Sequence, residues 1–255
     1  MTLPKPLILG IETSTDACSV ALSGPFPTLQ YFEVVPRGHA AGLLPMIRDL
    51  LAECDVRPDQ LDAIAFAGGP GSFTGLRIAA GVAQGLAFAL NKPVIRISTL
   101  AAMVAGLQRQ IQGGDPHRVA ADSSRILPAS FTQAFTLQVI PLLDARMQEV
   151  YAGCYRLSGQ GLAMLSPDRI LAPEAVSAWS SCVAPLALIG SGLVYYDRLP
   201  AVLIAQAIWI EDTFYPEAAA VAELAVDDFI AGHLLRPEEA QPVYLRDEVA
   251  WQKIK

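Results

Sequence analysis

The stretch from Phe73 to Leu90 constrains this chain more than any other, because it is apolar or small nearly all round, with Arg77 as its single charge. The glycine-rich turn Gly68 to Gly71 leads into it, and its spacing predicts one long helix. Leu76, Ala80, Ala83 and Ala87 fall on one side, Ile78, Val82 and Leu86 toward the other. A helix without a polar face is buried on both sides. One side can cover the core of its own lobe, so the other is expected to meet another molecule. Gly75, Gly81 and Gly85 would let a neighbouring backbone come close. Composition points the same way: 53% of the residues are hydrophobic, 17% are charged and mean hydropathy is +0.38. A chain of 255 residues has room for one large domain or two lobes.

A membrane span is the competing use of so much apolar surface. The candidate run Ile78 to Leu90 is interrupted by Gln84 and bounded by Arg77, Asn91 and Lys92, short of the ~20 residues a span needs. The stretch from Leu186 to Ile210 is broken by Asp197, Arg198 and Pro200, and the N-terminus offers only Leu7 to Ile11 after Lys5. The expectation is a cytoplasmic protein that buries its excess apolar surface against a partner.

Charge and ligand supply exclude other classes. The formal net charge is −7, with 18 basic residues scattered among 25 acidic ones. That argues against tight, direct binding of nucleic acid, which takes clustered Lys and Arg. Cys18, Cys54, Cys154 and Cys182 form no CxxC pair and read as small reduced core residues. His39, His117 and His233 are too dispersed for a metal-binding helix, and nothing in the pattern points to a Ser–His–Asp triad.

Two hairpins organise the chain. Leu7 to Ile11, the polar tip Glu12 to Asp16, and Cys18 to Leu22 make the first; Val139 to Leu143, the turn Asp144 to Gln148, and Val150 to Tyr155 make the second. Further strands are expected at 29–35, 61–66, 92–97 and 186–189. Helices are expected at 43–54, with Pro45 in the first turn or at a kink, and at 73–90, 99–110 and 216–232. Residues 113–138 read as an irregular connection and 242–246 as extended. The α/β reading is of two related lobes: 1–109 with 213–240, then 110–212, followed by a tail, 241–255.

The loop Gly69-Pro70-Gly71-Ser72-Phe73-Thr74-Gly75 opens a helix, yet it lacks the Gly-Lys-Ser/Thr ending of a Walker loop and the spacing of a nucleophile elbow. It reads as a structural turn with Ser72 as helix cap. Glu12, Thr13, Ser14 and Thr15 form the kind of tip that wraps nucleotide phosphates in ATPases of paired lobes. Asp144 would be its counterpart, and Gly190 and Gly192 would admit an adenosine. The tip is poor in glycine, which leaves phosphates little backbone to approach.

In this order, Ile8 to Thr15, Cys18 to Leu22, Gly69 to Ile78, Asp144-Ala145-Arg146-Met147, Glu149-Val150-Tyr151 and Pro242-Val243-Tyr244-Leu245-Arg246 resemble the TsaB (YeaZ) family over nearly the whole chain. The glycine-rich stretch is the most specific of these matches. The resemblance implies an ASKHA (actin/Hsp70-like) fold, two related lobes with mixed β-sheets flanked by helices. It further implies a non-catalytic subunit of the complex that forms N6-threonylcarbamoyladenosine in tRNAs reading codons that start with A. In that complex the paralogue TsaD holds the metal and does the chemistry, TsaE adds an ATPase, and TsaC supplies threonylcarbamoyl-adenylate. Thr99 and Met103 stand where TsaD carries its two metal-binding histidines, and neither suits such a metal. No catalytic residue, no metal and no cofactor beyond vestigial ATP or ADP binding are therefore expected. The partner face is expected at Leu43, Leu44, Ile47, Leu51, Gly75, Ile78, Val82, Gly85 and Leu86. Direct pairing with TsaD, a ternary complex with TsaE, a homodimer when alone and tRNA contact only through the complex follow from the resemblance. The alternative is an ASKHA-fold ATPase or small-molecule kinase. Residues 113–138 are longer than the family pattern.

Overall fold

The computed structural model describes residues 4–113, 136–179 and 185–246. The first sheet is built from β1 (Ile8–Glu12), β2 (Ala17–Ser23), β3 (Leu29–Val34), β4 (Ala63–Ala67) and β5 (Val94–Ile97), in the order β3-β2-β1-β4-β5. β1 runs antiparallel to β2 and parallel to β4, so the hairpin lies beside the parallel pair β4–β5. The second sheet comprises β6 (Thr136–Arg146), β7 (Glu149–Ser158), β8 (Gly161–Leu171), β9 (Leu186–Ile189) and β10 (Ala207–Glu211). Its order, β10-β9-β6-β7-β8, and its strand directions repeat the first. The chain thus has the ASKHA fold, with the same unit used twice.

Helices α1 (His39–Glu53) and α2 (Phe73–Leu90) cover one face of the first sheet. Leu9, Ile11, Ile64 and Phe66 meet Leu43, Leu50 and Ala83 there in one core. β1 is buried at every position because the other face is covered as well. That cover is α5 (Ala218–Ala231), which follows the second sheet in sequence and packs on the first. Its approach is close: a Cβ on Gly10 would stand 2.5 Å from the Ala218 carbonyl oxygen, so alanines line the contact. The helix is also capped by that sheet, since Ala218 N–H donates to Ser19 Oγ (2.9 Å) on β2 and Ala219 N–H to Gln30 Oε1 (2.7 Å) on β3. Helix α3 (Thr99–Ile111) makes the reverse crossing and packs Met103, Val104 and Leu107 on the second sheet. The 109/110 boundary expected from sequence falls in its last turn. Arg109 and Glu223 join the two crossing helices by an ion pair.

Several elements differ from the sequence reading. α1 begins at His39, so Pro45 lies inside the helix beyond its first turn. The buried His39 ring, 3.1 Å from the Ala17 carbonyl, fixes that earlier start. β6 begins at Thr136, inside the segment expected to be irregular; residues 114–135, with His117, lie outside the described residues, as does Cys182. β8, β10 and the short α4 (Ala201–Gln206) were not read from the sequence at all. α2 starts at Phe73, and by length and composition alone it could cross a membrane, so the run is longer than the expectation allowed. Its inner face, Leu76, Ala79, Ala80, Ala83 and Ala87, is instead packed into the first lobe.

Candidate functional site

The first hairpin tip is closed by the glycine-rich loop. Thr13 Oγ1 donates to the Gly75 carbonyl (2.8 Å), and Ser72 N–H donates to the Ser14 carbonyl (2.7 Å). Both glycines are required by this approach: a Cβ on Gly75 would lie 1.9 Å from the Thr13 carbonyl oxygen, and one on Gly71 would lie 2.6 Å from that of Ser14. Loop backbone is therefore packed directly against the tip at Thr13 and Ser14. Ser72 caps α2, its Oγ accepting from Gly75 N–H, as expected. Glu12 is fully buried; Ser14 N–H donates to its Oε1, while its Oε2 and the Ser14 hydroxyl have no partner. Burial pushes the Glu12 carboxyl up to about 7, against the weaker pull of Ser14. Thr15 Oγ1 accepts from Ala17 N–H within the turn.

The second tip is built differently. Arg146, Met147 and Gln148 all have positive φ. Asp144 folds back onto this turn, accepting from Arg146 N–H (2.8 Å) and from its guanidinium (3.0 Å), and its own N–H donates to Ser191 Oγ. Gly190 and Gly192 pack closely against their own chain. A Cβ on Gly190 would meet the Leu142 carbonyl oxygen at 2.3 Å and the Met103 methyl at 2.5 Å, and one on Gly192 would meet Leu142 Cβ at 2.8 Å. Close packing of the turn on β6 and α3 accounts for both glycines. No hydrogen bond or ion pair joins the two tips among the described residues.

Thr99 and Met103 are wholly buried, Thr99 N–H donating to the Gly69 carbonyl and Met103 sitting in the second core. Among the described residues no three His, Cys, Asp or Glu side chains converge.

The expected partner face must be redrawn. Leu43, Ile47 and Leu51 belong to the first core, and Gly75 is consumed by Thr13, so these four cannot meet another molecule while the lobe is folded. Ile78, Val82 and Leu86 are half-buried against the same core. Leu44 is 54% exposed and Phe88 80%, and nothing stands within 4 Å of a Cβ built on Gly42, Gly81 or Gly85. Leu44 on α1 and Gly81, Gly85 and Phe88 on α2 are among the exposed apolar or small positions of the two helices.

Two features escaped sequence reasoning. The tail 241–246 crosses from one lobe to the other: Val243 N–H donates to the Gly68 carbonyl (2.8 Å), Tyr244 stacks near Phe73, and Arg246 reaches Glu149 (2.6 Å) and the Ala145 carbonyl (3.1 Å). Gly69, at φ 116°, makes room for it, since a Cβ there would lie 2.6 Å from the Val243 carbonyl oxygen. At the lobe junction Ser98 and Tyr155 both donate to Asp168, each at 2.5 Å. Residues from three distant stretches meet here, which no local spacing announces.

A protein-family model described as TsaD: tRNA N6-adenosine threonylcarbamoyltransferase matches residues 31–125. The chain is 33% identical to the tRNA threonylcarbamoyladenosine biosynthesis protein TsaB of Escherichia coli (strain K12), over 97% of each chain. It is 32% identical to the protein of the same description from Haemophilus influenzae, over 97% of this chain and 96% of that one. The solved structure of YeaZ from Pseudomonas aeruginosa superposes with a TM-score of 0.79 at 38% identity, covering 94% of this chain and 100% of that one.

Proposed function

The chain belongs to the TsaB (YeaZ) family of tRNA threonylcarbamoyladenosine biosynthesis proteins, and from that premise we propose that it is the non-catalytic partner subunit of a tRNA threonylcarbamoyltransferase. The observation that carries the reading is the closed first tip, where Gly71 and Gly75 bring loop backbone against Thr13 and Ser14. An ATPase or kinase on this fold needs that space for phosphates. Thr99 and Met103 add no metal ligand. Catalysis then rests with a TsaD partner in the cytoplasm, with TsaE joining the assembly, TsaC supplying the activated group, and tRNA reached through the complex.

Docking uses the exposed stripe of Leu44, Gly81, Gly85 and Phe88. Glycine inside a helix costs about 1 kcal/mol relative to alanine, and among the described residues nothing packs within 4 Å of a Cβ at Gly81 or Gly85 to recover that cost. The close approach of another backbone is what the two sites permit. The same stripe supports a homodimer when TsaD is absent.

Reconstitution tests the reading. Alone, the purified chain should transfer no threonylcarbamoyl group to tRNA; with TsaD, TsaE and TsaC, modification should appear. Gly85→Leu should fold normally, since the position is open, yet lose at least about tenfold in TsaD affinity, or ~1.4 kcal/mol. Transfer by the chain without a partner would overturn the proposal.

A further inference from the structure

A cavity of about 190 Å³ lies at the lobe junction, between the glycine-rich loop, the start of α3, β8 and the tail. It is several times the ~30 Å³ share of one water molecule and smaller than the ~300 Å³ of a typical drug-sized site. A ligand of a few heavy atoms fits it.

Its walls carry two opposite charges that do not pair with each other. Arg96 lies across Gly68, where a Cβ would stand 2.2 Å from its Cγ, and its Nη1 donates to the Gln241 carbonyl at 3.1 Å. The guanidinium is thereby held in place by the tail with donors to spare. Asp168 is fixed by Ser98 and Tyr155, and a Cβ on Gly153 would lie 2.4 Å from its Oδ1. Each of its oxygens retains a lone pair. Glycine clears the way for both charged groups, and between them the wall is apolar: Pro70, Ile97, Val243 and Leu245.

We propose that this cavity binds a small zwitterion, an α-amino acid with a short aliphatic side chain. Its carboxylate would lie on Arg96, its ammonium on Asp168 and its side chain on the apolar wall. Opposite charges on the walls of one cavity select a molecule that carries both of its own. Burial raises the Asp168 carboxyl above its ordinary range, and an ammonium is the counter-charge that favours its ionised form. The proposal does not depend on the partner-subunit reading, because none of these residues belongs to the exposed stripe of α1 and α2.

The test is titration of the ¹⁵N-labelled full chain with L-valine, followed through the amide signals of Gly68, Gly69 and Val243. Saturable shifts with a Kd of about 1 mM or tighter are expected. Isobutylamine and isovalerate, each keeping one charge of valine, should bind at least tenfold more weakly. Arg96→Leu, at a largely exposed side chain, should weaken L-valine binding to the same extent while thermal unfolding confirms a folded chain. Asp168→Asn provides the complementary variant, with loss of affinity expected there too. Absence of saturable shifts up to about 10 mM, shifts confined to other residues, equal binding by either half-ligand, or unchanged affinity in Arg96→Leu would each overturn the site.

Discussion

Both sheets of this protein repeat one order and one set of strand directions, but the connections that cover them differ. In the first lobe the links from β3 to β4 and from β4 to β5 are full helices, α1 with 15 residues and α2 with 18. At the corresponding places the second lobe has a short 3-10 stretch, Pro173–Trp179, and then another, Ser191–Arg198, followed by the six-residue α4. A six-residue helix has little stability of its own and survives only by packing. α2 is longer by comparison: its inner face packs into the first core, its first turns meet Tyr244 of the tail, and among the described residues nothing stands within 4 Å of a Cβ built on Gly81 or Gly85. On the proposed reading, the helical layer is kept long in the lobe that docks a partner and cut back where it only covers a sheet.

The tips differ as well. The first is closed over a buried carboxylate by glycine-mediated backbone contact, whereas the second is an exposed turn whose Asp144 is answered by its own Arg146, 85% exposed. The sharpest way to break this contrast is Gly75→Ala. The added methyl would need to occupy a point 1.9 Å from the Thr13 carbonyl oxygen, with backbone on both sides. Overpacking that backbone cannot relieve falls in the exceptional range, about 4 kcal/mol or more. Urea unfolding should register that loss. A near-neutral Gly75→Ala would mean that the tip and loop are not locked together.

That lock was only half legible in the sequence. The loop's glycines are visible in Gly69 to Gly75, and its cap, Ser72, was read correctly, because capping is a local property of three or four residues. What each glycine makes room for was not legible: Thr13 for Gly75 and Val243 for Gly69 lie far away along the chain. The repeated sheet order was foreshadowed by the two hairpins, whose alternation is local. β8, with much of its length exposed and little alternation, gave no such signal. Apolar period identifies a helix, but it cannot say whether an apolar stripe meets its own core or another molecule, and Leu43, Ile47 and Leu51 belong to the core. Asp168, Ser98 and Tyr155 were missed because their meeting is purely tertiary.

A second measurement sharpens the comparison of the tips through pH. Glu12 in the folded chain has its carboxyl raised from the ordinary 4.5 to about 7. The folded state therefore binds this proton more tightly than the unfolded state does. Its contribution to stability is fully present below 4.5 and is lost as pH rises through about 7. At ~1.4 kcal/mol for each pH unit, the loss across this window is roughly 3 kcal/mol. Glu12→Gln keeps the shape, removes the ionisation and should flatten this part of the profile, leaving the variant more stable than the parent by that amount at about pH 8. Asp144→Asn, which removes only a partly exposed pair, should cost about 1 kcal/mol or less. A parent chain whose stability does not fall between these pH values, or a Glu12→Gln chain that falls equally, would remove the buried carboxylate from the comparison.

The smallest expected effect separates the two faces of α2. Gly81 lies six residues beyond Gly75 on the same helix, yet a Cβ there meets nothing within 4 Å. Alanine has the higher helix propensity, so Gly81→Ala should stabilise the isolated chain by about 0.5–1 kcal/mol, the reverse of Gly75→Ala. If a partner's backbone packs against Gly81, the new methyl must displace it, and affinity for TsaD should fall by about tenfold, or ~1.4 kcal/mol. Stability and binding then move in opposite directions in one variant, a pattern that neither misfolding nor a simple propensity gain produces. Thermal unfolding of the free chain and a binding titration against TsaD read the two quantities separately. A rise in stability with unchanged affinity would place the docking contact elsewhere along the exposed stripe, toward Phe88 or Leu44, and would leave Gly81 without a role in assembly.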